Sequence, residues 1–139
     1  MEQQTPAHLR VANANRDLAH TLSAAAPAVP AERWVALIAF YAAVHCVNGY
    51  LWESRRYKPL NHAQRSEMVR DLSTLKRAYF VYRRLSRLAY DMRYEPSAVP
   101  SAAVAQDALR NLRDVERVVR AALPPEEPPV PTPPAAPTT

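Results

Sequence analysis

Residues Trp34 to Trp52, WVALIAFYAAVHCVNGYLW, place apolar side chains on nearly every angle of a helical wheel, and His45 and Asn48 are the only plainly polar members. A helix of this kind must be covered on all sides, by protein or by lipid. Nineteen residues are enough to cross a bilayer, and Trp34 and Trp52 at its ends, with Arg55, Arg56 and Lys58 beyond, fit a span. His45, Asn48 and Gly49 lie together in one half, where an unpaired polar group in lipid is costly. Four further amphipathic segments also need a surface to pack on. The expectation is therefore a buried central helix, with a membrane-anchored helical protein as the alternative.

The remaining periodicity predicts four more helices. The first begins at Thr5 with Pro6 in its first turn, runs to about Ala25, and turns Ala7, Val11, Ala14, Leu18 and Leu22 inward. Pro27 and Pro30 interrupt the pattern, and the central helix follows from near Ala31 to near Ser54. A polar loop, Arg55 to Leu60, leads to Asn61, which caps a short third helix through Ala63, Met68, Val69 and Leu72. From about Thr74 to Tyr94 a fourth helix carries two adjoining stripes, one of Leu75, Tyr79, Tyr82, Ser86, Ala89 and Arg93, the other of Ala78, Val81, Leu85, Leu88 and Met92. Pro96 and Pro100 end it. Ser101 then caps a fifth helix with Val104, Ala108, Leu112, Val115, Val119 and Ala122 inward.

Composition supports an all-helical chain, since one glycine and few β-branched runs leave little for sheet and its turns. At 139 residues the chain is one domain, large enough to fold without a disulfide or metal. Its single cysteine, Cys46, lies inside the apolar run, and the start MEQQTPAH lacks the regions of a secretory signal, so a cytoplasmic protein is expected. The final stretch, PPEEPPVPTPPAAPTT, has nothing to bury and reads as a disordered, polyproline-like tail. It is a spacer or, less simply, a ligand for an SH3-like groove.

The net charge is +5, sixteen of the eighteen basic residues are Arg, and two of the acids, Glu126 and Glu127, fall in the tail. Such a balance suits an anionic partner such as RNA. Several enzyme classes are excluded on residues: there is no CxxC or HExxH, no glycine-rich phosphate loop and no serine elbow, so no cofactor and no metal ligands are expected.

Trp34, AFYAAVH at 39–45, Tyr50-Leu51, Asn61-His62 with Arg65, and YRRLSRLAYDMRYE at 82–95 together resemble the HEPN domains, small prokaryotic helical bundles found beside nucleotidyltransferases in toxin–antitoxin and defence loci. The likeness spans roughly residues 9–122. It implies an all-α antiparallel bundle of four to five helices over residues 1–123, followed by the tail at 124–139, and a homodimer. Active members of the family are metal-independent ribonucleases in which an Arg, four to six residues and a His form the signature. There the RNA 2′-hydroxyl attacks the adjacent phosphate while His and Arg serve as acid, base or charge clamp. This chain has no His after His62, so the family's late-helix run is absent; Arg55 and Arg56 stand at fitting distances from His62 but across the loop that holds Pro59.

The candidate site is drawn from residues that share helical faces. Tyr41, His45 and Asn48 follow at steps of four and three on the central helix, and Ser86 and Arg93 interrupt the apolar stripe of the fourth. In a functional cleft, His45 acts as base or phosphate donor and Arg93 clamps an anion. In a structural network, the same groups fix helix register and Arg93 bonds backbone carbonyls. His62 and Arg65, one turn apart at the start of the third helix, either add to an anion site there or cap the helix and pair with Glu32 or Glu53. Arg56 and Tyr94, beside these, are further binding candidates. Arg110, Arg113, Arg117 and Arg120 lie on one face of the fifth helix, extended by Arg77, Arg84 and Arg87, and either track RNA phosphates or form a solvated face neutralised by Asp107, Asp114 and Glu116.

The expectation for function is an RNA-associated protein of a toxin–antitoxin or defence module, a metal-independent ribonuclease with His45, His62, Arg65 and Arg93 as its catalytic residues. The alternative is a non-catalytic module that dimerises or holds a partner such as a nucleotidyltransferase antitoxin. Neither reading involves a membrane.

Overall fold

A computed structural model of the chain describes residues 4–24 and 31–123. The expected proline-rich tail, 124–139, and the connector containing Pro27 and Pro30 lie outside the described residues. The protein is all-α: α1 (Gln4–Ala24), α2 (Glu32–Arg55), α3 (His62–Asp71), α4 (Tyr79–Tyr94) and α5 (Ala102–Ala122), with one 3₁₀ turn at Lys76–Ala78.

The four long helices run up, down, up and down, and α3 fills the connection between α2 and α4. Contacts between distant positions fix the directions. His8 near the start of α1 meets His45 late in α2, and Arg33 at the start of α2 bonds the Met92 carbonyl near the end of α4. Val35 packs with Ala105 and Leu109, so α2 and α5 run the same way.

The central helix is α2, as its composition demands. Val35, Ala36, Leu37, Ala39, Phe40, Ala42, Ala43, Val44, Cys46, Val47, Tyr50 and Leu51 are all buried, against α1, α4 and α5. The helix is long and apolar enough to cross a membrane, but most of its apolar side chains are covered by protein, Trp34 and Tyr41 excepted. Burial pushes the Cys46 thiol up to about 12. The expected caps of α3 and α5 are present: the Asn61 side chain accepts from the Gln64 amide at 2.9 Å, and Ser101 Oγ from the Val104 amide at 3.2 Å.

Two expectations need correction. On α1 the inward face consists of Ala12 and Ala19, flanked by His8, Leu9 and Arg16, while Val11 and Leu18 are 42% and 47% exposed and Ala14 is exposed too. The helix is turned by about one residue because small side chains let it lie close on α2. A Cβ at Gly49 would stand only 3.4 Å from the His8 Cβ, and polar anchors, Arg16 to Glu116 and Arg120 to Asn13, hold the inner edge.

On α4 the α-helix starts at Tyr79 and not at Thr74. The amides of Leu75 and Lys76 both bond the Leu72 carbonyl, which closes α3 in a tight turn and buries Leu75, and the 3₁₀ turn then leads into α4. The buried face of α4, Tyr82, Leu85, Ala89 and Met92, continued backward by Leu75 and Ala78 of the turn, takes residues from both predicted stripes. Arg93 falls outside it and is exposed.

Candidate functional site

Along one side of α2, Tyr41, His45, Asn48 and Trp52 follow at steps of four, three and four, so they form a single row. Each meets a different part of the chain. The Tyr41 hydroxyl accepts a hydrogen bond from Arg93 of α4 at 3.0 Å. The Nδ1 atoms of His45 and His8, from α1, are 3.0 Å apart. Asn48 Oδ1 accepts from Arg65 Nε of α3 at 2.8 Å. Trp52 carries the Arg56 guanidinium 5.8 Å from its ring centre.

Arg65 sits at the middle of this arrangement. It is 7% exposed, and besides Asn48 it bonds His62 Nδ1 at 2.9 Å. A guanidinium only donates, so Nδ1 of His62 must hold a lone pair and the ring proton of the neutral form is on Nε2. The same logic applies to the histidine pair, where one Nδ1 carries a proton and the other accepts it. Phe40 backs the cluster with its ring 5.5 Å from His62 and 5.9 Å from Tyr82. The Tyr82 hydroxyl is buried with no partner in hydrogen-bond geometry among the described residues, and burial pushes its pKa up to about 12 against the pull of the neighbouring Arg65.

The loop between α2 and α3 is fastened from the α3 side. Gln64 Oε1 accepts from the Leu60 amide at 2.9 Å and the Tyr57 hydroxyl at 3.2 Å, and Arg56 supports the turn in the left-handed conformation, φ 51°. Lys58 is thereby held beside His8, Asn48, Trp52, Tyr57 and Pro59, which together line a shallow surface dimple and not an open cleft.

No carboxylate pairs with any cation of this stripe: Arg56, Lys58, Arg65 and Arg93 take part in none of the ion pairs among the described residues. The histidines register the resulting field. His8 is held below its ordinary pKa by burial, then by Lys58 and Arg65; His45 by burial, then by His8 and Arg65; His62 by burial, then by Arg65 and Arg93. All three are set to be neutral at pH 7, with a positive potential around them.

The predicted residues divide accordingly. Tyr41, His45, Asn48, His62, Arg65 and Arg93 come together, but the pairing differs from the one expected: Arg65 is the buried arginine, and Arg93 bonds Tyr41, neither His45 nor a backbone carbonyl. Arg65 also makes no ion pair with Glu32 or Glu53. Tyr94 lies 5.3 Å under the Arg93 guanidinium. Ser86 makes no hydrogen bond to the cluster, and neither Arg55 nor Arg56 bonds His62.

The arginines of α5 are largely spoken for. Arg110 pairs with Asp107, Arg117 with Asp114, and Arg120 with Glu116 and Asn13, while on α4 Arg84 reaches Asp107 and Arg87 reaches Asp91. Arg113 is exposed.

Sequence reasoning missed His8, Lys58 and the hydroxyl of Tyr82. The available signal for His8 was Gly49, one turn beyond His45, because a residue without a side chain at that step is where a neighbouring helix comes closest. Among the described residues no three His, Cys, Asp or Glu side chains are grouped to hold a metal ion. No family model, curated protein or solved structure matches the chain.

Proposed function

We propose that the α2 stripe binds the phosphodiester of RNA and cleaves it without a metal ion, as the resemblance to HEPN ribonucleases implies. The observation that carries this reading is Arg65, a buried guanidinium held by Asn48 and His62 that has no carboxylate partner among the described residues. A buried cation without a counter-charge is costly to maintain, and an anionic ligand supplies what the fold omits.

The surrounding groups fit the chemistry. In the tautomer in which His45 donates its Nδ1 proton to His8, its Nε2 lone pair is the base. It takes the proton of the 2′-hydroxyl as the 2′-oxygen bonds to phosphorus. The bond from phosphorus to the 5′-oxygen then breaks, and the proton on His45 passes to that oxygen, leaving a 2′,3′-cyclic phosphate and a 5′-hydroxyl end. Arg65, Arg93 and the Nε2 proton of His62 stabilise the charge on the phosphate oxygens. His8 is a positioning residue that orients His45.

The test is cleavage of RNA with a chelator present, for wild type and His45→Gln, with unfolding midpoints as the control for folding. His45→Gln is expected to lower the rate about 10²- to 10⁴-fold, the usual contribution of a general base. Absence of cleavage by the wild type rejects the ribonuclease.

A second reading, a non-catalytic module that dimerises or holds a partner such as a nucleotidyltransferase, draws on the row of Val11, Ala14 and Leu18 that α1 leaves exposed. In that case the stripe is a docking point for an acidic partner, and wild type and His45→Gln are equally without activity.

A further inference from the structure

The row on α2 extends beyond its polar members. Seven residues before Tyr41, and so on the same face, stands Trp34, its ring 59% exposed. Trp34 and Trp52 are eighteen helical steps apart, about 27 Å at 1.5 Å per residue. Near the Trp34 end the rings of Tyr90 and Tyr94 are equally exposed and 5.0 Å apart, with Arg93 on Tyr94 and bonded to the Tyr41 hydroxyl. Toward Trp52 the cations gather: Arg65 is bonded to Asn48, Arg56 lies on the Trp52 ring, and Lys58 stands beside it. None of these cations is in an ion pair among the described residues. The surface therefore offers unpaired cations at its Trp52 end and bare rings, with Arg93 among them, at its Trp34 end.

One segment of the chain carries the complementary features in the same order. Residues 124–139, PPEEPPVPTPPAAPTT, bring two acids early, Glu126 and Glu127, and then six prolines. Proline rings pack on aromatic side chains, and a polyproline chain gives up little entropy when it binds. The starting point of the segment also fits. α5 runs in the direction of α2, with Ala105 packed on Val35, and eighteen residues further on Leu123 caps α5 at the Trp52 end. Glu126 and Glu127 follow Leu123 by three and four residues, about 13 Å of extended chain, within reach of Arg56 and Lys58. From Glu127 to Ala136, nine residues in polyproline geometry cover about 28 Å, which is the span from Trp52 to Trp34. Attachment to α5 gives the segment an effective concentration on the millimolar scale, which a separate acidic or proline-rich partner does not have.

We infer that residues 124–139 dock along the α2 row of their own chain, with Glu126 and Glu127 on the cations beside Trp52 and the prolines running over the rings toward Trp34. The segment then covers Arg65 and competes with any anion for it. Only this competition rests on the reading of the stripe as a phosphate site; the docking stands on the match of charge, rings and length.

The experiment uses the full chain with a nitroxide label on a cysteine introduced at one of two positions, Pro128→Cys or Ala136→Cys. Cys46 is fully buried and stays unlabelled. The chain has two tryptophans and so two indole N–H resonances, which Trp34→Phe assigns. The label at position 136 should broaden the Trp34 resonance more than that of Trp52, and the label at position 128 should do the reverse. No broadening from either position overturns the docking, and the opposite pattern overturns its direction. When nitroxide-bearing chain is mixed with isotope-enriched chain that lacks the label, the resonances should stay sharp. Broadening in that mixture assigns the segment to a second copy and overturns docking within one chain.

Glu126→Gln combined with Glu127→Gln should relieve the broadening and tighten the binding of inorganic pyrophosphate about fivefold at low salt, as expected for two exposed charge contacts. Arg65→Gln should weaken pyrophosphate with or without the two glutamates. Unchanged pyrophosphate affinity in the double Gln variant overturns the competition. If pyrophosphate binds to neither chain, the phosphate reading is what falls, and the competition with it, while the broadening still decides the docking.

Discussion

Two groups of arginines, on opposite sides of the logic of this molecule, differ in what faces them. On α5 and the adjoining side of α4, Arg84, Arg87, Arg110, Arg117 and Arg120 each have an aspartate or glutamate within ion-pair distance, and their side chains are 45% to 79% exposed. On the α2 stripe Arg65 and Arg93 have only neutral partners among the described residues, and Arg65 is buried. A row of arginines at helical spacing is thus a poor guide to anion binding when carboxylates share the face. The informative cation is one that is both buried and without a counter-charge among the described residues, as Arg65 is, because exposed cations are neutralised by water and salt.

The strongest test of this contrast is to neutralise its best example. Arg65→Met should reduce RNA affinity about 10- to 150-fold, as expected for the loss of one charge-assisted contact of roughly 1.5–3 kcal/mol. Its stability should move by less than about 1 kcal/mol, since two lost hydrogen bonds are offset by the relief of an unneutralised buried charge. Denaturant titration beside the binding curve measures both. A loss of several kcal/mol with unchanged affinity would make Arg65 a structural residue and dissolve the distinction between the two groups.

An intermediate effect is expected from pH. His8, His45 and His62 all have folded pKa values below the unfolded value near 6.5, so the folded protein resists protons that the unfolded chain accepts. Their contribution is complete above about pH 6.5 and is lost as the pH falls below it. The unfolding midpoint should therefore drop between pH 7.5 and 5.5, and less so in His8→Gln. A midpoint that is flat or rises over this interval would show that burial and the nearby cations do not hold these histidines below their ordinary range.

The smallest effect should come from the paired face. Replacing Arg110, Arg113, Arg117 and Arg120 together by Gln is expected to change RNA affinity by less than about threefold and stability only slightly, because exposed ion pairs contribute about 0–1 kcal/mol each. A large loss, with a flatter dependence on salt, would transfer the phosphate contacts to α5.

The legibility of the chain follows the same division. Composition and periodicity were sufficient for the number and order of the helices, the central place of α2 and the caps at Asn61 and Ser101, because each depends on local chemistry or on where apolar residues concentrate, though not for the start of α4. They failed on α1, where Ala12 and Ala19 pack closely while the larger Val11 and Leu18 remain outside. Hydrophobicity favours the larger residues, but a tight helix crossing at Gly49 selects the smaller. Within the site, the row Tyr41, His45 and Asn48 was visible as spacing. The identity of the buried arginine was not, since Arg65 and Arg93 are equally polar in sequence and only the tertiary placement of α3 decides which is enclosed.

Cys46 gives the bundle a clock. Its side chain is fully enclosed on α2, with the thiol raised to about 12, so it cannot react with an alkylating reagent until the helices around it part. It is the only thiol in the chain, and every labelling event therefore reports the same opening. When reagent is scarce the labelled fraction follows how often the core is open; when reagent is abundant it follows how fast the core opens. One residue with no part in the proposed chemistry thus records both the depth and the height of the barrier that keeps α2 covered, and it does so without any probe attached to the stripe.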